Sequence, residues 1–199
     1  MPNHCFNTLL IEGSARDIQR FEEKAGMPHA DSHESFEKND VGVIESIRTE
    51  GVHDTEFSFW NFVSPAPEMR DIYFGIEKDP KQLPDDRRNI QTISREFEIV
   101  WILDGCYHWN VRNWGTKWDA YDIEIHHQPP TNLLYTFTTA WSPPEALFST
   151  MIAQHPELYF ALEYEEETGW GGKITASNGE LIEVSSYEPD YEDEEEALV

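Results

Sequence analysis

Lys117, Asp119 and Asp122 fall close together in Asn113-Trp114-Gly115-Thr116-Lys117-Trp118-Asp119-Ala120-Tyr121-Asp122. Two carboxylates beside an amine can divide general acid and base work, or surround a cation. The same residues also suit a plainer purpose. Lysine can pair with a neighbouring carboxylate, and aspartate can close a turn by accepting from its own backbone. Trp114, Trp118 and the later Trp141 can wall a slot for a base or ring, or simply fill a small core. The expectation is packing for the tryptophans and turn formation for Asp119. A hydrolase using Asp119, Asp122 and Lys117, or a nucleotide- or RNA-binding module using Trp114 and Trp118, stand as alternatives.

Other reactive residue types are scattered. His29, Asp31, His33 and Glu34 have spacings compatible with metal ligation, but the paired Cys and His spacing of a structural zinc site is missing. His126 and His127 adjoin on an expected strand, where neighbours point to opposite faces. Cys106 and His108 flank Tyr107 without an oxyanion-hole motif beside them. The chain has no phosphate-binding Gly-Lys loop, no Gly-x-Gly-x-x-Gly after a strand and no Gly-x-Ser-x-Gly elbow. Gly169-Trp170-Gly171-Gly172 reads as a turn or bulge. No catalytic residue, cofactor or metal is expected.

The elements that must position these residues follow from periodicity. Residues 3–12 read as a strand ending at Gly13. Ser14 caps a helix that carries Ile18, Phe21 and Ala25, and Gly26 and Pro28 stop it. Residues 27–55 and 77–89 read as polar insertions. Between them, residues 57–62 are strongly aromatic and end at Ser64-Pro65-Ala66-Pro67. Residues 90–109 place Ile93, Phe97, Val100, Trp101 and Leu103 at helical spacing, with a break near Gly105. A strand starts near Trp118 and puts Tyr121, Ile123 and Ile125 opposite Asp122 and Glu124. It turns at Gln128-Pro129-Pro130-Thr131 into a second strand, 132–139. Ser142 caps a helix with Pro143 first, whose apolar face is Leu147, Phe148, Met151 and Ile152. Residues 158–164 alternate as a strand, and Asn178-Gly179 joins a terminal hairpin.

This order, insertions aside, is β-α-β-β-α-β with a hairpin appended. It predicts an α+β, ferredoxin-like (split β-α-β) antiparallel sheet with two covering helices. One domain, 1–187, is expected, followed by an acidic, disordered tail at 188–199.

Charge is the strongest compositional signal. There are 39 acidic residues against 14 basic ones, a formal net charge of −25. Binding to nucleic-acid backbones needs clustered Lys and Arg, so direct nucleic-acid contact is disfavoured. Glu163, Glu165, Glu166, Glu167, Glu180 and Glu183 gather around the terminal hairpin and form the expected partner-binding surface. Two cysteines, Cys5 and Cys106, suit small buried residues in a reducing compartment rather than a disulfide framework. No apolar run is long enough to span a bilayer, and no secretory signal is visible at the N-terminus, so a cytoplasmic protein is expected.

Asn3-His4-Cys5-Phe6-Asn7, Asn113-Trp114-Gly115-Thr116-Lys117-Trp118-Asp119 and Thr139-Ala140-Trp141-Ser142-Pro143-Pro144 together resemble the YubB-like proteins of bacteriophages and conjugative plasmids. Glu163 to Glu166 and the Gly-rich 169–173 belong to the same pattern. The resemblance implies a ferredoxin-like domain and an accessory protein of a mobile element in the bacterial cytoplasm. It brings no reaction and no catalytic residues. The expected function is non-catalytic: an acidic surface that binds a host protein, with DNA mimicry against nucleic-acid-targeting defence as its physical form.

Overall fold

Alternation decides the central strand. β1 (His4–Glu12) buries Cys5, Asn7, Leu9 and Ile11 and turns Phe6 outward. The computed structural model describes residues 3–38, 44–67, 70, 90–93, 99–102, 106–128 and 131–189. α1 (Ala15–Ala25) starts where the Ser14 hydroxyl accepts from the Asp17 N–H, as the cap motif predicts. It lays Ile18, Phe21 and Ala25 on the sheet. The later strands are β6 (Tyr121–Gln128), β7 (Asn132–Ala140), β8 (Tyr159–Glu166), β9 (Gly171–Ser177) and β10 (Glu180–Tyr187), with α3 (Glu145–Gln154) between β7 and β8.

The strands form one antiparallel sheet in the order β10-β9-β8-β1-β7-β6. Its β8-β1-β7-β6 part is the ferredoxin-like arrangement, with the first strand central, and β9 and β10 extend it. All four strands predicted to share a sheet do so. Asn178 and Gly179 both take positive φ, as the two-residue turn between β9 and β10 requires.

Three elements cover one face. α1 contributes Phe21, α3 contributes Leu147, Phe148 and Met151, and the aromatic segment fills the side over β6 and β7. There Phe57 lies against Tyr135 and Phe137, and Phe59 meets Phe137 and Trp114 edge-on. A short 3-10 turn, Phe59–Asn61, points these rings inward. Aromatics of this size bury about 150–250 Å² each, which offsets the low apolar content of the chain.

Several expectations are corrected. Residues 27–55 do not form a loop but an antiparallel ribbon, β2 (His29–Lys38) with β3 (Ile44–His53). Residues 90–109 are not one helix. β4 (Ile90–Ile93) pairs with β5 (Ile99–Ile102), and a helix, α2 (Cys106–Asn113), follows. Trp118 precedes β6 instead of opening it. Asp122 sits at φ 52 in a register shift between Tyr121 and Glu124, so the predicted alternation is interrupted there. Ser142 does not cap α3; its hydroxyl donates to the Gly115 carbonyl. Cys5 is buried as expected, but Cys106 is exposed. The insertion at 77–89 and the tail from residue 190 lie outside the described residues. Among the described residues, no helix is long and apolar enough to cross a membrane.

Candidate functional site

The Trp-rich loop is held from both ends. Trp114 is 2 % exposed, and its indole N–H donates to the Val63 carbonyl at 2.8 Å. Its own carbonyl accepts from Leu147 N–H and so serves the first turn of α3, which lacks a side-chain cap. Gly115 sits at φ +89, where an added Cβ would lie 3.0 Å from Glu145 N, so the loop approaches α3 as only glycine allows. Thr116 donates to the Ala140 carbonyl, and Asn110 donates to the Lys117 carbonyl.

Beyond that anchor the loop turns outward. Trp118 is 43 % exposed and Trp141 is similar, so of the core or edge packing expected for the tryptophans these two show packing at the edge. Lys117 Nζ lies 4.8 Å from the ring centroids of both, and 5.7 Å from that of Tyr107. The aromatic slot is thus filled by the chain's own lysine rather than left open for a base. Asp119 is engaged elsewhere. Its Oδ1 accepts from the N–H groups of Phe59 and Ala120 at 2.8 and 2.7 Å, and its Oδ2 from the Ser58 hydroxyl at 2.6 Å. Burial pushes its carboxyl above the ordinary aspartate range, against these hydrogen bonds and the nearby His53. Asp122 is exposed. The Lys117–Asp119–Asp122 grouping therefore has its members committed to different surroundings.

The acidic residues divide as well. β-pairing sets Phe6 opposite Glu165, Thr8 opposite Glu163, Glu163 opposite Lys173, and Lys173 opposite Ser185. These residues share the sheet face turned away from the helices. With Tyr187 they line a groove of about 530 Å³. Phe6 is 56 % exposed and Tyr187 is 50 % exposed. Lys173 Nζ reaches Glu163 at 2.6 Å, and that hydrogen bond holds its ammonium above the usual lysine range. The Tyr187 hydroxyl donates to Glu165 at 3.2 Å. Glu183, opposite Thr175, adds negative potential near Lys173, and Glu180 begins β10 at the hairpin turn.

Two of the predicted acidic residues act locally. Glu167 accepts from the His4 backbone N–H at 2.9 Å. Glu166 is buried and so leaves the proposed surface. Burial pushes its carboxyl up. Hydrogen bonds from the Thr168 hydroxyl and N–H, with Asn3 and Trp170, outweigh that and hold it below the ordinary glutamate range. It shapes the turn into β9.

Sequence reasoning missed Phe6, Lys173 and Tyr187. One signal was present for Phe6: a large apolar residue at the solvent-facing parity of β1. It also missed His53 and Ser58, which the fold brings to Asp119 from distant parts of the chain. His29 joins them, whereas the side chains of Asp31, His33 and Glu34, proposed beside it, lie outside the described residues. His108 stacks edge-on with Tyr107, and His126 lies 3.6 Å from Glu124 on the exposed face of β6.

Residues 114–198 match the family described as the ferredoxin-like domain in Api92-like protein. The crystal structure of the protein api92 from Yersinia pseudotuberculosis aligns with a TM-score of 0.52 at 11 % identity, covering 95 % of this chain and 99 % of that one. No curated protein matches the chain. The family match begins at Trp114, the anchor of the loop, and the sheet order agrees with it: the chain has a ferredoxin-like, mixed α+β fold.

Proposed function

We propose that this chain is a non-catalytic binding protein whose open sheet face takes a basic segment of a host protein. The observation that carries the reading is the convergence of Phe6 and Tyr187 with Glu163 and Glu165 in one groove. Exposed aromatic rings attract cationic side chains through their π faces, and the carboxylates supply the matching charge. The surplus of acid over the whole chain, −25, draws such a partner from a distance and repels nucleic acid. Lys173 is paired with Glu163, so an incoming arginine or lysine competes for a carboxylate already placed. The resemblance to YubB-like phage and plasmid proteins favours a mobile-element setting, with a host nuclease or other nucleic-acid-binding protein in the bacterial cytoplasm as the partner. In that setting the acidic face acts as a DNA mimic.

The test is a capture experiment from a bacterial lysate with wild type and the double variant Glu163→Lys/Glu165→Lys at two salt concentrations. A nucleic-acid-binding protein held by the wild type, released by salt and lost in the variant is the expected outcome. The same proteins captured by both, with no salt dependence, would refute the reading.

A further inference from the structure

β2 and β3 pair so that His29 faces His53 across the base of the ribbon. The two rings lie 5.1 Å apart, and His29 stacks on Trp60 at 5.3 Å. Ligand atoms of His29, His53 and Asp119 all lie within 4.8 Å of one another. All three are half-buried. Ser58, fully buried, stands between them: its hydroxyl donates to Asp119 Oδ2 at 2.6 Å, and His29 Nε2 lies 2.9 Å from Ser58 Oγ.

The Ser58 hydroxyl bonds to Asp119 Oδ2 and accepts from the Trp60 N–H at 3.2 Å. His29 Nδ1 lies 3.2 Å from the Ala30 carbonyl. With Nδ1–H donating there, Nε2 presents a lone pair to a cation, the arrangement in which metal-bound histidines commonly give their other N–H to a backbone carbonyl.

We propose that His29, His53 and Asp119 form a site for a divalent transition metal, zinc above others. Two imidazoles and one carboxylate are a donor set that zinc accepts with a further position left open, whereas magnesium and calcium prefer all-oxygen surroundings. Zinc ligands at about 2.0–2.2 Å in tetrahedral array lie roughly 3.4 Å from one another. The present spacing of up to 4.8 Å needs the two histidines to draw in toward Asp119. Asp119 is already fixed by two backbone N–H groups, and Ser58 orients its second oxygen. The metal would tie the base of the β2–β3 ribbon to the turn at Phe59 and to the end of the Trp-rich loop. Neither β2 nor β3 joins the main sheet, so the metal would strengthen a junction that otherwise rests on the contacts of His29 with Ser58 and Trp60.

The experiment uses tag-free full-length protein, stripped with a chelator and dialysed. Titration with Zn²⁺, followed by calorimetry and by metal content after gel filtration, should give one equivalent bound. Cobalt substitution should give the intensified visible absorption of a low-coordinate site. His53→Ala should bind at least about tenfold more weakly while its circular dichroism is unchanged. His126→Ala, on the exposed face of β6, should bind like the wild type, and Mg²⁺ should not compete. Zinc binding that survives His53→Ala at full affinity, or no stoichiometric binding to the stripped wild type, overturns the proposal. If Asp119→Asn fails to fold, His53→Ala still decides.

Discussion

On β1 the side chains toward α1 and α3 are Cys5, Leu9 and Ile11, all fully buried, while Phe6 on the other side is more than half exposed. The strand is the same and so is its backbone pairing; only parity differs. The covered face has everything needed for stability, with interlocked aromatics and two helices. The open face carries Glu163, Glu165, Lys173 and Tyr187, which line an exposed groove instead of a core. A repeat of two residues thus separates the side chains that make the core from those that face solvent. The Trp-rich loop repeats the contrast at shorter range. Trp114 closes the core, and Trp118, four residues on, stands in solvent over Lys117.

The sharpest way to break that contrast is to truncate the two tryptophans. Trp114→Ala removes a buried indole, its bond to Val63 and its contacts with Phe59 and Trp109, and should cost about 3–5 kcal/mol. Trp118→Ala should cost no more than about 1 kcal/mol, the range of an exposed cation–π contact such as the one to Lys117. Urea unfolding of both variants measures the difference; equal losses would abolish the distinction between anchor and rim. Asp119→Ala should come next, at about 1–3 kcal/mol, because it leaves the Phe59 N–H without its acceptor in a partly buried turn. Denaturation of the chelator-treated protein isolates that loss from any metal. A variant as stable as the wild type would show that the turn holds without the carboxylate.

Much of the covered face was legible in the sequence. Ser14 with Asp17, the spacing of Ile18 and Phe21, the alternation from Asn132 to Thr139 and the Asn178-Gly179 pair are local signals, and each has its predicted partner. β2 and β3 were not legible because polar residues occupy both odd and even positions of their sequence, as in His29-Ala30-Asp31-Ser32-His33, so alternation gives no sign of a strand. The apolar residues from Ile90 to Ile102 fit helical and extended spacing equally well over such short runs. The grouping of the candidate metal cluster was not legible for another reason, although His29 and Asp119 each stood out. His29, His53 and Asp119 are brought together only by the tertiary fold, and nothing in their local sequence announces the meeting. The acidic run Glu163 to Glu167 was visible as charge. That Glu166 alone turns inward follows from strand parity and from Thr168, two residues beyond it.

Glu166 gives a smaller, pH-dependent test of that division. Its carboxyl is held below the ordinary glutamate range in the folded chain, so ionised Glu166 stabilises the fold at pH values above the usual 4.5. That contribution is lost as pH falls through its folded value. Glu166→Gln should therefore be less stable than wild type at neutral pH, and the gap should close in acid. Unfolding series at neutral and acidic pH measure it. A gap that is independent of pH would mean that the side chain serves the turn by shape alone.

The smallest effect on folding is expected on the open face, where the effect on association should be largest. Reversing Glu163 and Glu165 to lysine breaks the bond to Lys173 and the one from Tyr187, both in exposed surroundings, where solvent screens such pairs and they contribute little to stability. Repulsion within a chain of net charge −25 falls at the same time, so the melting temperature should barely move. Association with a basic partner should slow, because exposed charges act during the approach, over about 8–10 Å at ordinary ionic strength. Phe6→Ala should do the reverse: it leaves the rate of encounter alone and speeds release, since the ring touches the partner only after docking. Association and dissociation rates of wild type and both variants, at low and high salt, separate the two contributions. A charge variant that associates as fast as wild type at low salt would show that the acidity serves solubility alone. A Phe6 variant with unchanged release would move the binding surface off this face of the sheet.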